Sequence, residues 1–117
     1  FKNVVATANG DKGVNADTAI STAGSLVAYS VDECNFSFNG EAGFELNAQA
    51  DEDDDDGEVA VTIDETTASH NGGSGIALDE IAAADASNVT VVIKNVVASE
   101  NAESGIFVSG GGGGGVA

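Results

Sequence analysis

The sequence predicts an all-β fold in which short strands recur at a nearly constant interval and stack repeat on repeat. Three observations lead to this prediction. A pattern of Asn and Gly returns four times at almost equal steps, and segments of alternating apolar residues return in step with it. The apolar residues are mostly Val, Ala and Ile, and the chain has no Trp, Met or Pro. Such a composition favours strands over helices.

Each repeat carries an Asn that is followed four residues later by Gly, and then by an apolar, a variable and another apolar residue. The four copies read NGDKGVNA, NGEAGFEL, NGGSGIAL and NAESGIFV. Asparagines aligned at a turn can hydrogen-bond to one another and to the turn backbone, so we predict a structural role for them. The asparagines are Asn9, Asn39, Asn71 and Asn101, and the glycines are Gly13, Gly43, Gly75 and Gly105, so both residue types recur at the same nearly equal steps.

Three short strands are predicted in each repeat, because apolar residues alternate with period two in three segments, which indicates one buried face. In the second repeat the residues predicted to point inward are Val27, Tyr29, Val31, Cys34, Phe36, Phe44 and Leu46. Strands this short can bury their apolar faces only when the repeats stack on one another. Equivalent strands of successive repeats then pair in parallel. The predicted architecture is a parallel β-helix of about three to four turns, right-handed like most parallel crossovers.

The arrangement resembles the right-handed parallel β-helix repeats of the pectate-lyase-like superfamily. The resemblance rests on Gly-Ile-x-Leu, a loop, Val-x-Val-x-Ile, Asn or Glu, a short strand and Ser-x-Asn, and it covers nearly the whole chain. It implies an architecture and leaves the activity open, because that superfamily includes lyases, hydrolases, phage tailspikes, adhesins and surface-layer or filament proteins.

The charge of the chain bears on its partners. Twenty acidic residues stand against three lysines and no arginine, for a net charge of -17. Such a surface repels nucleic acid and anionic lipid, so neither is an expected partner. It suits high salt or divalent cations, which offset the self-repulsion. The sequence holds no apolar run long enough to span a membrane.

An acidic run at 51–57 is the one candidate cation site in the sequence, with Asp53 and Asp55 as the candidate metal ligands. Hard cations such as calcium take several carboxylate oxygens, and the Gly that closes the run permits a tight turn. A solvated acidic loop is the favoured interpretation of the run, since Ile63 stands where an EF-hand loop needs its twelfth-position Glu. No other cofactor is predicted.

Two Asn-x-Ser/Thr sequons begin at Asn35 and Asn88, which makes both residues candidate N-glycosylation sites in a secretory route. By the strand alternation Asn35 points outward, and Asn88 ends a loop. We therefore count glycans among the expected partners.

No catalytic residue is predicted. Asp32 and Asp64 would stack on successive turns like the carboxylate pair of a glycoside hydrolase. Lys2 and Lys94 occupy the equivalent positions on either side, so a ladder of mixed charge explains the two carboxylates more simply. The resemblance implies Gly-His-Gly, Asn-Thr-Asp and Arg-Ile-Lys signatures in hydrolase members, and the segment around His70 reads Ser-His-Asn instead.

We assign residues 1–109 to the repeats and residues 110–117 to a Gly-rich loop or linker, and expect one helical turn at 80–86. The predicted function is that of a structural or interaction module in a large extracellular or cell-surface protein. Its rod would assemble with neighbouring repeats, or with identical chains end to end, and could form filaments. The alternative is a fragment of a carbohydrate-active enzyme, a polysaccharide lyase or glycoside hydrolase, or a polysaccharide-binding adhesin.

Overall fold

A computed structural model describes residues 1–20, 26–50, 58–83 and 88–112, and within these ranges it contains strands and no helix. The strands are β1 (Val14–Ile20), β2 (Leu26–Asp32), β3 (Phe44–Ala50), β4 (Glu58–Asp64), β5 (Ile76–Ala83), β6 (Asn88–Lys94) and β7 (Ile106–Gly112). They form a four-stranded sheet in the order β1-β3-β5-β7 and a three-stranded sheet in the order β2-β4-β6. All the pairings are parallel, so the predicted all-β class with parallel pairing is confirmed.

Equivalent residues of successive repeats lie directly beside one another in both sheets. Tyr29 pairs with Val61, and Val61 pairs with Val91. Phe44 likewise pairs with Ile76 in the larger sheet. A slip of one residue would turn every apolar side chain of a strand toward solvent, which fixes this register. The predicted stacking of equivalent residues is confirmed.

The third predicted strand of each repeat is reduced to one bridged residue. Single parallel bridges join Val5 to Asn35, Asn35 to Thr67, and Thr67 to Val97. Backbone hydrogen bonds flank these bridges, for example 2.8 Å from the Phe36 amide to the Thr67 carbonyl. The segment stacks in parallel as predicted, but it forms single bridges in place of the predicted short strand.

Two bends in each repeat explain why that segment is so short. Among the residues that the structure describes, eight non-glycine residues have positive φ, and they fall at two positions of the repeat. They are Asn3, Glu33, Glu65 and Asn95 at the first position, and Ala8, Phe38, His70 and Glu100 at the second. The left-handed conformation costs an L-residue roughly 1–2 kcal/mol, so the surrounding stack must impose it. The two bends lie too close together along the chain to leave room for a strand ladder.

The core lies between the inner faces of the two sheets and the bridged segment. The Phe36 and Phe44 rings stack there with centroids 5.3 Å apart. The largest fully buried side chains are Phe36, Phe44, Leu46, Ile63, Ile76, Leu78, Ile81, Val31, Val59, Val61 and Thr66. Burial of each apolar side chain in this set stabilises the fold by about 1.5–3 kcal/mol. These residues belong to the second and third repeats, while Ile106 and Val108 of the last repeat remain 39% exposed.

The spacing within a repeat is constant on one side of the stack. The interval from the start of β2 to the start of β3 equals the interval from β4 to β5 and the interval from β6 to β7. The step from Asn39 to Asn71 is slightly longer than the other steps, so its additional residues lie between the start of β3 and the start of β4. The connections on that side include residues 21–25, 51–57 and 84–87, which lie outside the described residues.

Strands extend into two segments that the sequence predicted to be irregular. β5 runs to Ala83, so residues 80–83 of the expected helical turn are extended. The sheet supplies partners there, because Ala82 and Ala83 pair with β3 and Ile81 pairs with Gly110. β7 continues past residue 109 to Gly112 and pairs with β5 through Gly110 to Gly112. Residues 113–117 of the Gly-rich segment lie outside the described residues.

Candidate functional site

The asparagines form a continuous ladder of hydrogen bonds, called here the asparagine ladder. The side-chain amide of Asn39 donates to Oδ1 of Asn71 at 3.1 Å, and the backbone amide of Asn39 donates to the same oxygen at 2.9 Å. Asn9 donates to Asn39, and Asn71 to Asn101, in the same way. Asn39 and Asn71 are each 3% exposed, so these amide groups are satisfied inside the protein. Every link points in one direction along the stack.

The repeated glycines make room for the asparagine ladder. A Cβ built on Gly43 would contact the Phe36 carbonyl oxygen and lie 2.8 Å from Asn71 Nδ2. A Cβ on Gly75 would lie 2.6 Å from Asn101 Nδ2. Real Cβ atoms essentially never approach heavy atoms below 3.0 Å. Close packing against the amide of the next repeat, and not a left-handed φ, therefore requires Gly here, which explains why Asn and Gly keep one spacing.

A column of mixed charge runs along one corner of the stack, in the order Lys2, Asp32, Asp64 and Lys94. Lys2 Nζ lies 3.0 Å from Asp32 Oδ2, and Lys94 Nζ lies 3.0 Å from Asp64 Oδ2. Asp32 and Asp64 are neighbours in register, so the predicted ladder of mixed charge is confirmed. The hydrogen bond from the Asn95 side chain, followed by that from Lys94, lowers the pKa of Asp64 below its ordinary value. Each of the two stacked aspartates is thus held by its own lysine.

A second set of carboxylates lines an open groove of about 410 Å³, called here the acidic groove. Its lining residues are Glu41, Ala42, Glu45, Gly72, Gly73, Ser74, Ala77 and Glu103. Gly73 occupies the repeat position of Glu41 and Glu103, so its missing side chain opens the groove between their carboxylates. A side-chain hydrogen bond with Asp11 raises the pKa of Glu41 above its ordinary value. The groove is suited to cationic groups, and Lys12 already contacts Glu45 at 2.7 Å.

An aromatic and ionic column stands at the second bend. The rings of Phe38 and His70 stack with centroids 4.8 Å apart, and His70 Nε2 lies 3.0 Å from Glu100 Oε2. Phe38 is 61% exposed. The sequence shows that these three residues share one repeat position, but their contacts along the column were not predicted.

The structure describes only part of the predicted cation and glycan sites. Asp53 and Asp55 lie outside the described residues, and the described part of the chain contains no group of three or more His, Cys, Asp or Glu arranged to hold a metal ion. Asn35 is half-buried in the bridged segment, and its Oδ1 is buried with no partner among the described residues. Asn88 begins β6 opposite Glu58, and its side chain lies outside the described residues.

Neither a membrane-spanning helix nor a known relative adds to this picture. Among the described residues no helix has the length and apolar character needed to cross a bilayer. No protein-family model, curated protein or solved structure matches the chain. The features that bear on function are therefore the ladder, the charged columns and the groove.

Proposed function

We propose that this chain is a segment of a right-handed parallel β-helix and serves as a rigid rod in a large extracellular or cell-surface protein. In this proposal the segment packs on neighbouring repeats, or on identical chains end to end. The observation that carries the proposal is the asparagine ladder, which runs through all four repeats with the same pair of hydrogen bonds at each link between them. The asparagine side chains that recur in every repeat form hydrogen bonds between successive repeats and so hold the stack together.

The winding of the chain supports a helix of strands. In each repeat the backbone passes from the smaller sheet through the bridged segment to the larger sheet, and its partners are always the equivalent residues one repeat away. A chain that keeps this order while rising by one strand per repeat is a coil. The strong preference of parallel crossovers for one hand favours a right-handed coil.

Rigidity follows from how the repeats are joined. Successive repeats share parallel pairing in two sheets, backbone hydrogen bonds in the bridged segment and one link of the asparagine ladder. In stacked-repeat proteins the contacts between neighbouring repeats supply much of the stability, so such a coil resists bending along its whole length. A rod of this kind acts as a spacer or a fibre element.

An extracellular setting accords with the surface of the chain. A net charge of -17 keeps copies apart at low salt, and dissolved salt or divalent cations relieve that repulsion. Calcium at Asp53 and Asp55, and glycans at Asn35 and Asn88, belong to the same proposal. Each would add a contact on the outside of the rod.

The test is electron microscopy of the native parent protein, combined with diffraction from aligned material. We expect rods or filaments with a meridional spacing of about 4.8 Å, which is the distance between paired strands. Discrete particles that cleave a uronic-acid polysaccharide would contradict the proposal and support the carbohydrate-active enzyme instead. A spacing of about 4.8 Å perpendicular to the long axis would also contradict a rod built from stacked repeats.

A polysaccharide-binding adhesin is the second candidate, and exposed Phe38 is the observation that favours it. A pyranose ring can stack on an exposed aromatic ring, and Phe38 is 61% exposed and stacks on His70. Titration of the chain with neutral and cationic oligosaccharides tests this function. Phe38→Ala should abolish binding, whereas Val92→Ala, at another exposed apolar residue, should leave it unchanged.

A further inference from the structure

We propose that the acidic groove binds a short aliphatic diamine, with one primary ammonium group at each wall of the groove and an N–H group donating to the Ser74 hydroxyl. This binding site goes beyond the proposed rod and does not depend on it. The floor of the groove comes from the third repeat, with Gly72, Gly73 and Ser74. Its walls carry Glu41 from the second repeat and Glu103 from the fourth.

Ser74 is a buried polar residue whose side chain has no hydrogen bond among the described residues. It lines the groove and is 7% exposed. Side-chain hydrogen bonds are made by the other buried polar residues of the described ranges, which are Ser37, Asn39, Thr66, Ser69 and Asn71. Because buried polar groups rarely stay unpaired, the exception in the groove indicates a partner that enters from outside. The hydroxyl oxygen can accept a hydrogen bond from such a ligand.

The charges around the groove are out of balance. Lys12 Nζ contacts Glu45 Oε1 at 2.7 Å, but within the described residues no ion pair reaches Glu41 or Glu103. Glu41 instead lies beside Asp11, and their hydrogen bond raises the pKa of Glu41 above its ordinary value. An ammonium group at this wall would offset the repulsion between the two carboxylates, which a neutral ligand would not do.

The spacing of the carboxylates suits an extended cation better than a metal ion. Glu41 and Glu103 stand two repeats apart, which is about 10 Å at the distance between paired strands. In the ranges that the structure describes, no three His, Cys, Asp or Glu side chains are arranged to hold a metal ion. A diamine can place one ammonium group near each wall, while its methylene chain lies over Gly72, Gly73 and Ala77.

The lining of the groove favours primary over quaternary ammonium groups. A primary ammonium group has three N–H donors, which match the Ser74 hydroxyl and the carboxylates. Quaternary ammonium groups have no N–H donor and are recognised by aromatic rings, whereas the described lining holds no aromatic side chain. A carboxylate of the groove already binds one ammonium group, since Glu45 accepts a hydrogen bond from Lys12.

Isothermal titration calorimetry of the full chain with putrescine, a diamine with two primary ammonium groups, tests the inference. We expect a single class of site that persists at about 0.15 M salt, where charges beyond the groove are screened. An analogue that carries two trimethylammonium groups has the same charge but cannot donate to Ser74, so it should bind about tenfold more weakly. Equal binding of the two ligands would assign the signal to the net charge of -17 and overturn the inference.

Ser74→Ala separates the contribution of the hydroxyl from that of charge. Ala42 occupies the same repeat position, so the variant should fold and keep the circular dichroism spectrum of the parent chain. We expect the affinity for putrescine to fall about tenfold, because a hydrogen bond to a charged group is lost. Ser104→Ala is the matched control, since Ser104 shares that position in the fourth repeat but is exposed and does not line the groove. Equal effects of the two substitutions would overturn the assignment of the site.

Glu103→Gln tests whether the second ammonium group reaches the far wall. The parent chain should bind putrescine about fivefold more tightly than butylamine, which has one ammonium group, and the variant should bind the two ligands alike. Glu58→Gln is the control for net charge, because Glu58 is exposed on β4 outside the groove, and it should keep the preference for putrescine. A parent chain without that preference would overturn the diamine and leave the rod proposal, which rests on the asparagine ladder, standing.

Discussion

The side-chain amide of Asn71 fills the space that a side chain on Gly43 would need. The atom Asn71 Nδ2 lies 2.8 Å from the position of a Cβ built on Gly43, and the same amide lies in a line of hydrogen bonds between Asn39 and Asn101. Glycine in one repeat and asparagine in the next are therefore a single structural unit. The two residue types make separate contributions to stability, which substitutions can measure.

Replacing Asn71 should destabilise the fold strongly. Asn71→Ala removes the acceptor of two donors on Asn39, which is 3% exposed, and leaves buried amide groups with fewer partners. Each unsatisfied buried group costs about 1–3 kcal/mol, so we expect a loss of about 3 kcal/mol in the free energy of unfolding, measured with urea. Asn9→Ala is the control, because Asn9 is exposed at the first repeat and should cost less than about 1 kcal/mol. Equal losses in the two variants would show that the buried hydrogen bonds of the ladder add nothing to stability beyond the contribution of a single exposed asparagine side chain.

Replacing Gly43 should be at least as damaging, for a steric reason. In Gly43→Ala the new Cβ would contact the Phe36 carbonyl oxygen and lie 2.6 Å from the Gly75 carbonyl oxygen, both parts of the backbone. We expect a loss above about 3 kcal/mol or failure to fold, seen in the circular dichroism spectrum and in urea unfolding. Gly10→Ala provides the comparison, since a Cβ there would meet nothing within 4 Å. That variant should be neutral or gain up to about 1 kcal/mol by restricting the unfolded chain. A mild effect at Gly43 would contradict the close packing described here.

Glycine should be favourable at the bends. Ala8 has φ 58° and is exposed, so Ala8→Gly removes left-handed strain without removing a buried contact. We expect the urea midpoint of unfolding to rise and the free energy of unfolding to increase by about 1 kcal/mol. Ala28→Gly is the matched control, because Ala28 is an exposed residue within β2, where Gly should cost about 0.5–1 kcal/mol. If both variants lose stability, the second bend is not strained at Ala8.

The acidic groove should make stability depend on pH through Glu41. Its raised pKa, caused first by the hydrogen bond with Asp11, means that the folded chain holds this proton more tightly than the unfolded chain does. Stability therefore falls as pH rises from the unfolded pKa through the folded pKa. We expect Glu41→Gln to be more stable than the parent chain near pH 7. The gain should vanish below about pH 4, where Glu41 is protonated in both states.

Urea unfolding across that pH range measures the effect of Glu41. Glu58→Gln changes the net charge by the same amount at an exposed residue of β4, so the difference between the two variants isolates the contact with Asp11. Equal gains from both substitutions at every pH would assign the effect to the overall charge of -17 and not to the groove.

The sequence predicted the parts of this fold that repeat with a fixed period. Alternating apolar residues located the strands of both sheets, and the common spacing of Asn and Gly located the ladder. The positive φ of Phe38 and Glu33 was not predictable, because these residues have no local preference for it and are held there by their neighbours in the stack. Gly110 to Gly112 carry no side-chain pattern, so only their pairing with β5 reveals a strand.

In the candidate site, too, the predicted contacts are those that follow directly from a shared repeat position. The pairing of Lys2 with Asp32, and of Lys94 with Asp64, followed from their shared repeat position. The acidic groove depends on Gly73 standing between Glu41 and Glu103, and the missing side chain is visible only once the repeats are stacked. The contact of each Gly with the amide of the following repeat likewise needed three-dimensional distances.

The interval from each strand of the smaller sheet to the next strand of the larger sheet is constant. Every repeat therefore has a first half of fixed length and a second half that tolerates insertion. Ladder, bends and bridged segment all lie in the first half, and the additional residues of the longer step lie in the second. Doubling the length of a flexible connection costs only about 0.6 kcal/mol. Recombination can therefore exchange or lengthen those connections while the stacked strands stay unchanged. New surface properties can evolve, or be introduced by design, without a change in the strands that carry them.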